Sequence, residues 1–449
     1  MNSEPRTSVH GTWSGRWTFI LAAAGSAVGL GNIWKFPYMA GENGGGAFVL
    51  IYLICILLIG VPIMVAEILI GRRGRSSPAN SMEYLAKEAN TFPAWKLLGV
   101  MGAVAGLLIL SFYSVAAGWA VAYIFEGFDG ASADYYGESF NSFLQDETSL
   151  LFFHSIFILT TVAIVARGVI KGLEVWINRL MPILFIIVIL LCLYATQTGA
   201  FFKGVAYLFT PDFSKINGSI ILAALGQAFF TLSLGMGAIM AYGAYMPSKQ
   251  NIGSTAISVA FLDTSVALLA GMAIFPIVFA NDLQTASGPG LVFVTLPWAF
   301  VNMPLGLLFG KLFFILLSIA ALSSAISLLE PGVAWFVESF KTKRYVAAIG
   351  LGLIAWTLGI FSALSFGLLS DFTLVGDRNF FDSMDFLSNQ ILLPLGGIFI
   401  AIFVGWIMKK EKVLEELEIK NELIIKVWFF FLKFIAPLTI IMIFVEGLT

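Results

Sequence analysis

The chain has 449 residues, of which 59% are hydrophobic and only 12% charged, with a net charge of −2. A soluble domain carries about 25% charged residues, so this chain lacks the polar residues to coat a water-facing surface of its size. The composition excludes an ordinary soluble enzyme, a disordered chain and, with no basic excess, a nucleic-acid binder. It points to an all-α polytopic membrane protein that buries long apolar helices in lipid.

In chain order, the first eleven residues are polar and lack the apolar core of a cleavable signal, so the first span serves as the insertion signal. A membrane-crossing helix needs about 20 predominantly apolar residues. Eleven segments supply them: Trp13–Tyr38, Gly46–Gly71, Trp95–Phe125, Leu151–Arg167, Leu173–Gln197, Ile221–Met246, Thr255–Ala280, Leu307–Phe340, Tyr345–Phe366, Asp385–Met408 and Leu423–Val445. Two carry glycine clusters at mid-span, Gly25-Ser-Ala-Val-Gly-Leu-Gly31 in the first and Ser233-Leu-Gly-Met-Gly237 in the sixth. Each glycine disfavours continuous helix by about 1 kcal/mol. Close packing through small residues is one reading; a pair of broken helices lining a binding site is the other. The positions favour the second, because the first and sixth spans open two successive sets of five. The chain then divides into a tail (1–12), a first five-helix repeat (13–197), a second, inverted repeat (198–408), and a linker with the eleventh helix (409–449).

Charge sets the orientation. Sixteen Lys and Arg residues lie in the tail and in the loops after even-numbered spans, among them Arg6, Arg72, Arg73, Arg75, Lys343 and Lys420. Only Lys35, Lys203, Lys215 and Arg378 lie on the other side. The expected placement is a bacterial-type inner cell membrane, with the N-terminus cytoplasmic and the C-terminus outside. Cys55 and Cys192 sit inside apolar runs and read as packing residues. His10 and His154 are too far apart for a shared metal motif. No nucleophile–base pair and no phosphate-binding lysine loop is present, so an enzyme is not expected.

Gly25-Ser-Ala-Val-Gly-Leu-Gly-Asn-Ile-Trp-Lys-Phe-Pro37, Glu42-Asn-Gly-Gly-Gly-Ala-Phe48, Gln227-Ala-Phe-Phe-Thr-Leu-Ser-Leu-Gly235 and Phe381-Asp-Ser-Met-Asp385 resemble the signature of the neurotransmitter:sodium symporter family, in its prokaryotic amino-acid carrier branch. The similarity is collinear from about Trp13 to the end of the tenth span. It implies the leucine-transporter-type fold of 5+5 inverted repeats with broken helices 1 and 6, and Na⁺-coupled uptake of an amino acid by alternating access. Many relatives have twelve helices, and eleven are expected here. Oligomeric state is left open.

The resemblance implies two Na⁺ sites. The first would use the Ala27 carbonyl, Asn32, Thr231 and Asp263, plus the substrate carboxylate. The second would use the carbonyls of Gly25, Val28 and Ala320 with the hydroxyls of Ser323 and Ser324. Sodium is a hard cation that suits such oxygens, and broken helices free carbonyls without exposing them to lipid. The substrate carboxylate would meet the amides of Leu30 and Gly31 and the Tyr113 hydroxyl, at a helix N-terminus that favours anions. The ammonium would meet the Ala27, Phe230 and Thr231 carbonyls and Ser233. Ile109, Phe230, Met236, Ser324 and Leu328 would line an apolar side-chain pocket. Monoamine carriers of the family have aspartate where this chain has Gly29, so a substrate that brings its own carboxylate is expected. The family commonly has Asn where Asp263 stands, and chloride-dependent relatives hold an anion beside the residues matching Tyr52, Gln227 and Thr231. A fixed Asp263 charge would replace that anion and make transport chloride-independent.

Gates follow from the same matching. Lys35 would pair with Asp385 on the outside, above a lid of Tyr113 and Phe230. Trp13 and Glu338 would close the inside. The family's usual arginine partner for Glu338 aligns with His10, and Arg6 is the other candidate. Gly172 and Pro182 resemble a motif for unwinding the fifth helix. The competing readings are a Na⁺-coupled carrier of another small zwitterion or amine, and a substrate-sensing or channel-like protein on the same scaffold.

Overall fold

The computed structural model describes residues 6–127, 132–283, 288–419 and 421–448. The first five residues of the polar tail, Lys420 and Thr449 lie outside the described residues. Among the described residues nine helices are long and apolar enough to cross a membrane, and a bent pair, Arg16–Ala27 with Gly31–Glu42, makes a tenth span with a 56° angle at its break. This is a multi-pass membrane protein. The predicted sixth span is two short helices, Gly218–Thr231 and Ala238–Ala244. Neither piece is long enough to cross a membrane by itself. The remaining spans are Gly46–Gly74, Pro93–Phe125, Glu147–Ala166, Val169–Thr198, Ile252–Ala280, Gly306–Phe340, Arg344–Leu364, Phe380–Ile407 and Glu422–Val445.

Both breaks fall on the glycine clusters, and each has a visible cause. The first helix stops where Val28 turns extended (φ −69°, ψ 106°), and the chain resumes as a π-helical turn over Gly31–Lys35. In the sixth span Ser233, Gly235 and Gly237 all take positive φ (55°, 83° and 77°). Glycine adopts that region freely; the serine pays about 1–2 kcal/mol for it. Freed backbone groups at membrane depth must find partners, and they do. The Ser233 hydroxyl donates to the Ser26 carbonyl at 2.9 Å, and the Gly235 amide donates to the Glu67 carboxylate at 2.7 Å. The two breaks are therefore tied to each other and to the second span.

Close approach of backbones holds the bundle together. A Cβ on Gly106 of the third span would lie 2.5 Å from the Leu328 carbonyl oxygen of the eighth. Several short elements have no 20-residue apolar run and escaped the hydropathy reading: helices Pro78–Glu88, Ala133–Gln145, Phe201–Phe209, Leu291–Val301 and Lys410–Leu417, and a hairpin of Thr373–Val375 with Arg378–Asn379. The eleventh span is the most peripheral, with 22% of its apolar window buried against 72% for the third and eighth.

Candidate ion and substrate site

The first cluster lies where the break of the first span faces the seventh. Asn32, Thr231 and Asp263 are buried to 1% exposure or less. The Asn32 amide donates to the Asp263 carboxylate at 2.8 Å, and the Thr231 hydroxyl lies 3.2 Å from both carboxylate oxygens. The Asn32 side-chain oxygen accepts from the Gly29 amide at 3.1 Å, which folds the broken backbone around the cluster. Asp263 thus has two neutral partners. A buried carboxylate without a countercharge is costly, and Asp263 and Thr231 offer hard oxygen donors to a cation there, while the Asn32 amide turns its nitrogen to the carboxylate and its oxygen to Gly29. Among the described residues no group of three or more His, Cys, Asp or Glu could hold a metal; carboxylate and hydroxyl oxygens of the kind gathered here suit a hard cation.

A second cluster joins the first span to the eighth. The Ser324 hydroxyl lies 3.4 Å from the Gly25 carbonyl and 3.1 Å from those of Ser26 and Val28. The Ser323 hydroxyl lies 3.5 Å from the Val28 carbonyl and 2.9 Å from that of Ala320. All five oxygens expected from the resemblance converge here. A hydroxyl has one proton, so Ser324 can donate to only one of the three carbonyls within its reach, and a cluster of such oxygens suits a hard cation.

Between the clusters lies a cavity of about 30 Å³. That volume holds a water or two but no amino-acid side chain, so a substrate must move side chains to enter. Nine of the expected residues line it: Ala27, Gly31, Ile109, Tyr113, Phe230, Ser233, Met236, Ser324 and Leu328. Two expected residues do not. Leu30 faces a different cavity, although its amide donates to the Tyr113 hydroxyl at 3.2 Å. Thr231 is turned to Asp263. Ser26, Gly29 and Ser327 complete the wall. A Cβ on Gly29 would lie 2.5 Å from the Ser324 hydroxyl and 2.7 Å from that of Tyr113; this wall has no room for a side chain.

A vestibule of about 260 Å³ opens on the far side of Tyr113 and Phe230, which line both spaces and form the partition. Lys35 and Asp385 both line it, yet the expected ion pair is absent. The Lys35 ammonium sits 4.4 Å from the centre of the Phe230 ring, and Asp385 accepts from Asn389 at 2.6 Å. The lysine's compact charge rests instead on the aromatic face, a cation–π contact.

At the N-terminal face the chain is closed. Trp13 is 2% exposed and donates through its ring nitrogen to the Tyr242 carbonyl at 3.2 Å. Glu338 accepts from the His10 ring at 3.1 Å, the Ser77 amide and hydroxyl, and Asn80. His10 is therefore the partner of Glu338. Arg6 instead donates to the Gly74 carbonyl at 3.0 Å and lies 3.9 Å over the Tyr84 ring. Gly172 falls in a π-helical turn, Val169–Glu174, and the helix then runs unbroken through Pro182. Two buried groups escaped the sequence reading: Glu67 and the Glu330–Arg344 ion pair, whose carboxylate also accepts from Tyr245 at 2.7 Å. A carboxylate inside an apolar run is the signal that could have found both acids.

The family model described as the sodium:neurotransmitter symporter family matches residues 10–148 and 143–449. An uncharacterized sodium-dependent transporter of Bacillus subtilis, YhdH, is 41% identical over 97% of each chain. The human sodium- and chloride-dependent GABA transporter 2 is 23% identical over 92% of this chain and 76% of its own. The crystal structure of MhsT in complex with L-phenylalanine matches with a TM-score of 0.88 at 47% identity, covering 97% of this chain and 99% of that one.

Proposed function

The chain belongs to the sodium:neurotransmitter symporter family, and from that premise we propose that it takes up apolar and aromatic L-amino acids with two Na⁺ per cycle, by alternating access and without chloride. It is a transporter, not an enzyme. The observation that carries the substrate reading is the crowding at Gly29. No acidic side chain fits there to pair with an amine, so the carboxylate has to arrive on the substrate. The Leu30 amide beside it is a ready donor for that carboxylate, with Tyr113 turning to donate as well. Ile109, Phe230, Met236 and Leu328 make the rest of the wall apolar. A solved relative, MhsT, has L-phenylalanine bound, which supports the same class.

Energetics are adequate. One charge crossing 100 mV is worth about 2.3 kcal/mol, and a tenfold Na⁺ gradient adds about 1.4 kcal/mol. Two ions supply roughly 7 kcal/mol, enough for about 10⁵-fold accumulation of a zwitterion. The N-terminal face is the cytoplasmic one on the positive-residue rule. Chloride independence rests on Asp263, a buried carboxylate within the first ion cluster that would supply the negative charge when ionised.

Uptake by the protein in sealed vesicles tests the reading. Competition by the twenty amino acids should be strongest for large apolar side chains, choline in place of Na⁺ should abolish uptake, and gluconate in place of chloride should leave it unchanged. Asp263→Asn should make the residual uptake depend on chloride. A preference for charged or very small side chains would refute the substrate class; a collapse in gluconate would refute chloride independence.

A further inference from the structure

We propose that His10 makes the gate at the N-terminal face proton-sensitive: its protonated ring locks the tail onto Glu338, and its deprotonation frees the gate to open. The Ser77 amide and hydroxyl and the Asn80 amide all donate to Glu338, and the His10 ring nitrogen lies 3.1 Å from the same carboxylate, placed to donate as the fourth. An acceptor surrounded only by donors is an ionised carboxylate. Three of those donors keep their protons at every physiological pH. The fourth is an imidazole, the side chain whose charge changes between pH 5 and 8.

The pair is well placed to act as a latch. The side chains are 4% and 8% exposed, so their attraction is weakly screened by salt. His10 sits in the tail and Glu338 near the end of the eighth span, 328 residues later, so this hydrogen bond closes the N-terminal face across the molecule. The tail is also pinned two ways beyond His10. The Trp13 amide donates to the Tyr245 carbonyl at 2.9 Å, and the Ser14 amide lies 3.3 Å from the Glu174 carboxylate of the fifth span.

The other charged and titratable groups facing this region are already engaged. Tyr245 meets the His10 ring edge-on at 5.7 Å and donates to Glu330, which is paired with Arg344. Arg75, at the end of the second span, donates to the Met246 carbonyl. Arg6 of the tail is held on Gly74 and Tyr84. None of them touches the shared proton of the latch. Glu174 faces Ser14 rather than His10.

The sign separates His10 from Glu338 as the titrating group. Loss of the histidine proton weakens the latch as pH rises. Protonation of Glu338 would weaken it as pH falls. A hydrogen bond to a charged donor exceeds a neutral one by enough to change the closed-to-open ratio about five-fold.

Spin labels on Thr7→Cys and Lys343→Cys, both exposed positions, measure the gate by electron–electron distance in the full-length protein, with Cys55 and Cys192 replaced by Ala. The short-distance population should fall about five-fold, relative to the long one, between pH 5.5 and pH 8.5. His10→Arg keeps a permanent cation and should hold the short distance at both pH values. His10→Gln cannot charge and should show the alkaline ratio at both. A ratio that does not move with pH in the His10 protein, one that moves in the opposite direction, or an equal pH response in either variant would overturn the proposal. The distances need no substrate or sodium, so a negative result here leaves the transport reading untouched.

Discussion

Gly29 shows how one missing atom shapes the wall of the cavity between the first, third and eighth spans. A methyl group there would press on Ser324 and Tyr113 at 2.5 and 2.7 Å, and overpacking of this kind costs about 1–3 kcal/mol. Gly29→Ala is expected to weaken amino-acid binding by about 10–100-fold, read by titration calorimetry in saturating Na⁺; unchanged affinity would refute the crowding argument. The identity of this position was legible in the motif that contains it. Its crowding was not, because Ser324 and Tyr113 come from spans 295 and 84 residues further along the chain. The gate residues divide the same way. Glu338 and His10 were both visible as candidates, but only the folded tail decides between His10 and Arg6, by putting the imidazole on the carboxylate and the guanidinium on Tyr84. Lys35 and Asp385 were paired by analogy, and the lysine's position over Phe230 separates them.

At the scale of the helix, the breaks are written locally and stabilised remotely. Glycines at 235 and 237 permit the left-handed turn, which is why hydropathy and composition alone located the interruption to within a residue or two. What keeps the interruption from being a defect is Glu67 of the second span, whose carboxylate takes the freed Gly235 amide. Glu67→Leu leaves that buried amide without an acceptor, at a cost of about 1–3 kcal/mol. The melting temperature should drop and Na⁺-dependent binding should weaken, whereas Glu67→Gln, which retains an acceptor, should lose less of both. Equal effects of the two substitutions in a thermal-shift assay would show that the amide contact is not the cause. The short helices between spans escaped detection for a related reason. Elements such as Pro78–Glu88 lie outside the long apolar runs that length-based reading detects.

Across the whole molecule, the N-terminal face is held by polar contacts that link distant spans. Glu330 of the eighth span is fully buried, pairs with Arg344 at the start of the ninth, and accepts from Tyr245 at the end of the sixth. Removing one partner of such a pair strands a charge and costs about 3–5 kcal/mol, while replacing both with apolar residues can be neutral. Arg344→Met should therefore destabilise the protein strongly, and Glu330→Leu with Arg344→Met should recover most of the loss, measured as melting temperature in detergent; a double variant no better than the single would argue against stranded charge. The sequence by itself determined the membrane class, the order and approximate limits of the spans and the two interruptions, because each depends on composition or on residues adjacent in the chain; the oxygen-bearing residues were expected only from the resemblance of its motifs to a family. Only the tertiary structure decided which carbonyls face which hydroxyls, that the cavity beside Tyr113 and Phe230 is closed down, and which residue of the tail meets Glu338. Those outcomes depend on spans hundreds of residues apart lying against one another, and apolar packing in lipid specifies that arrangement through shape rather than through any local pattern.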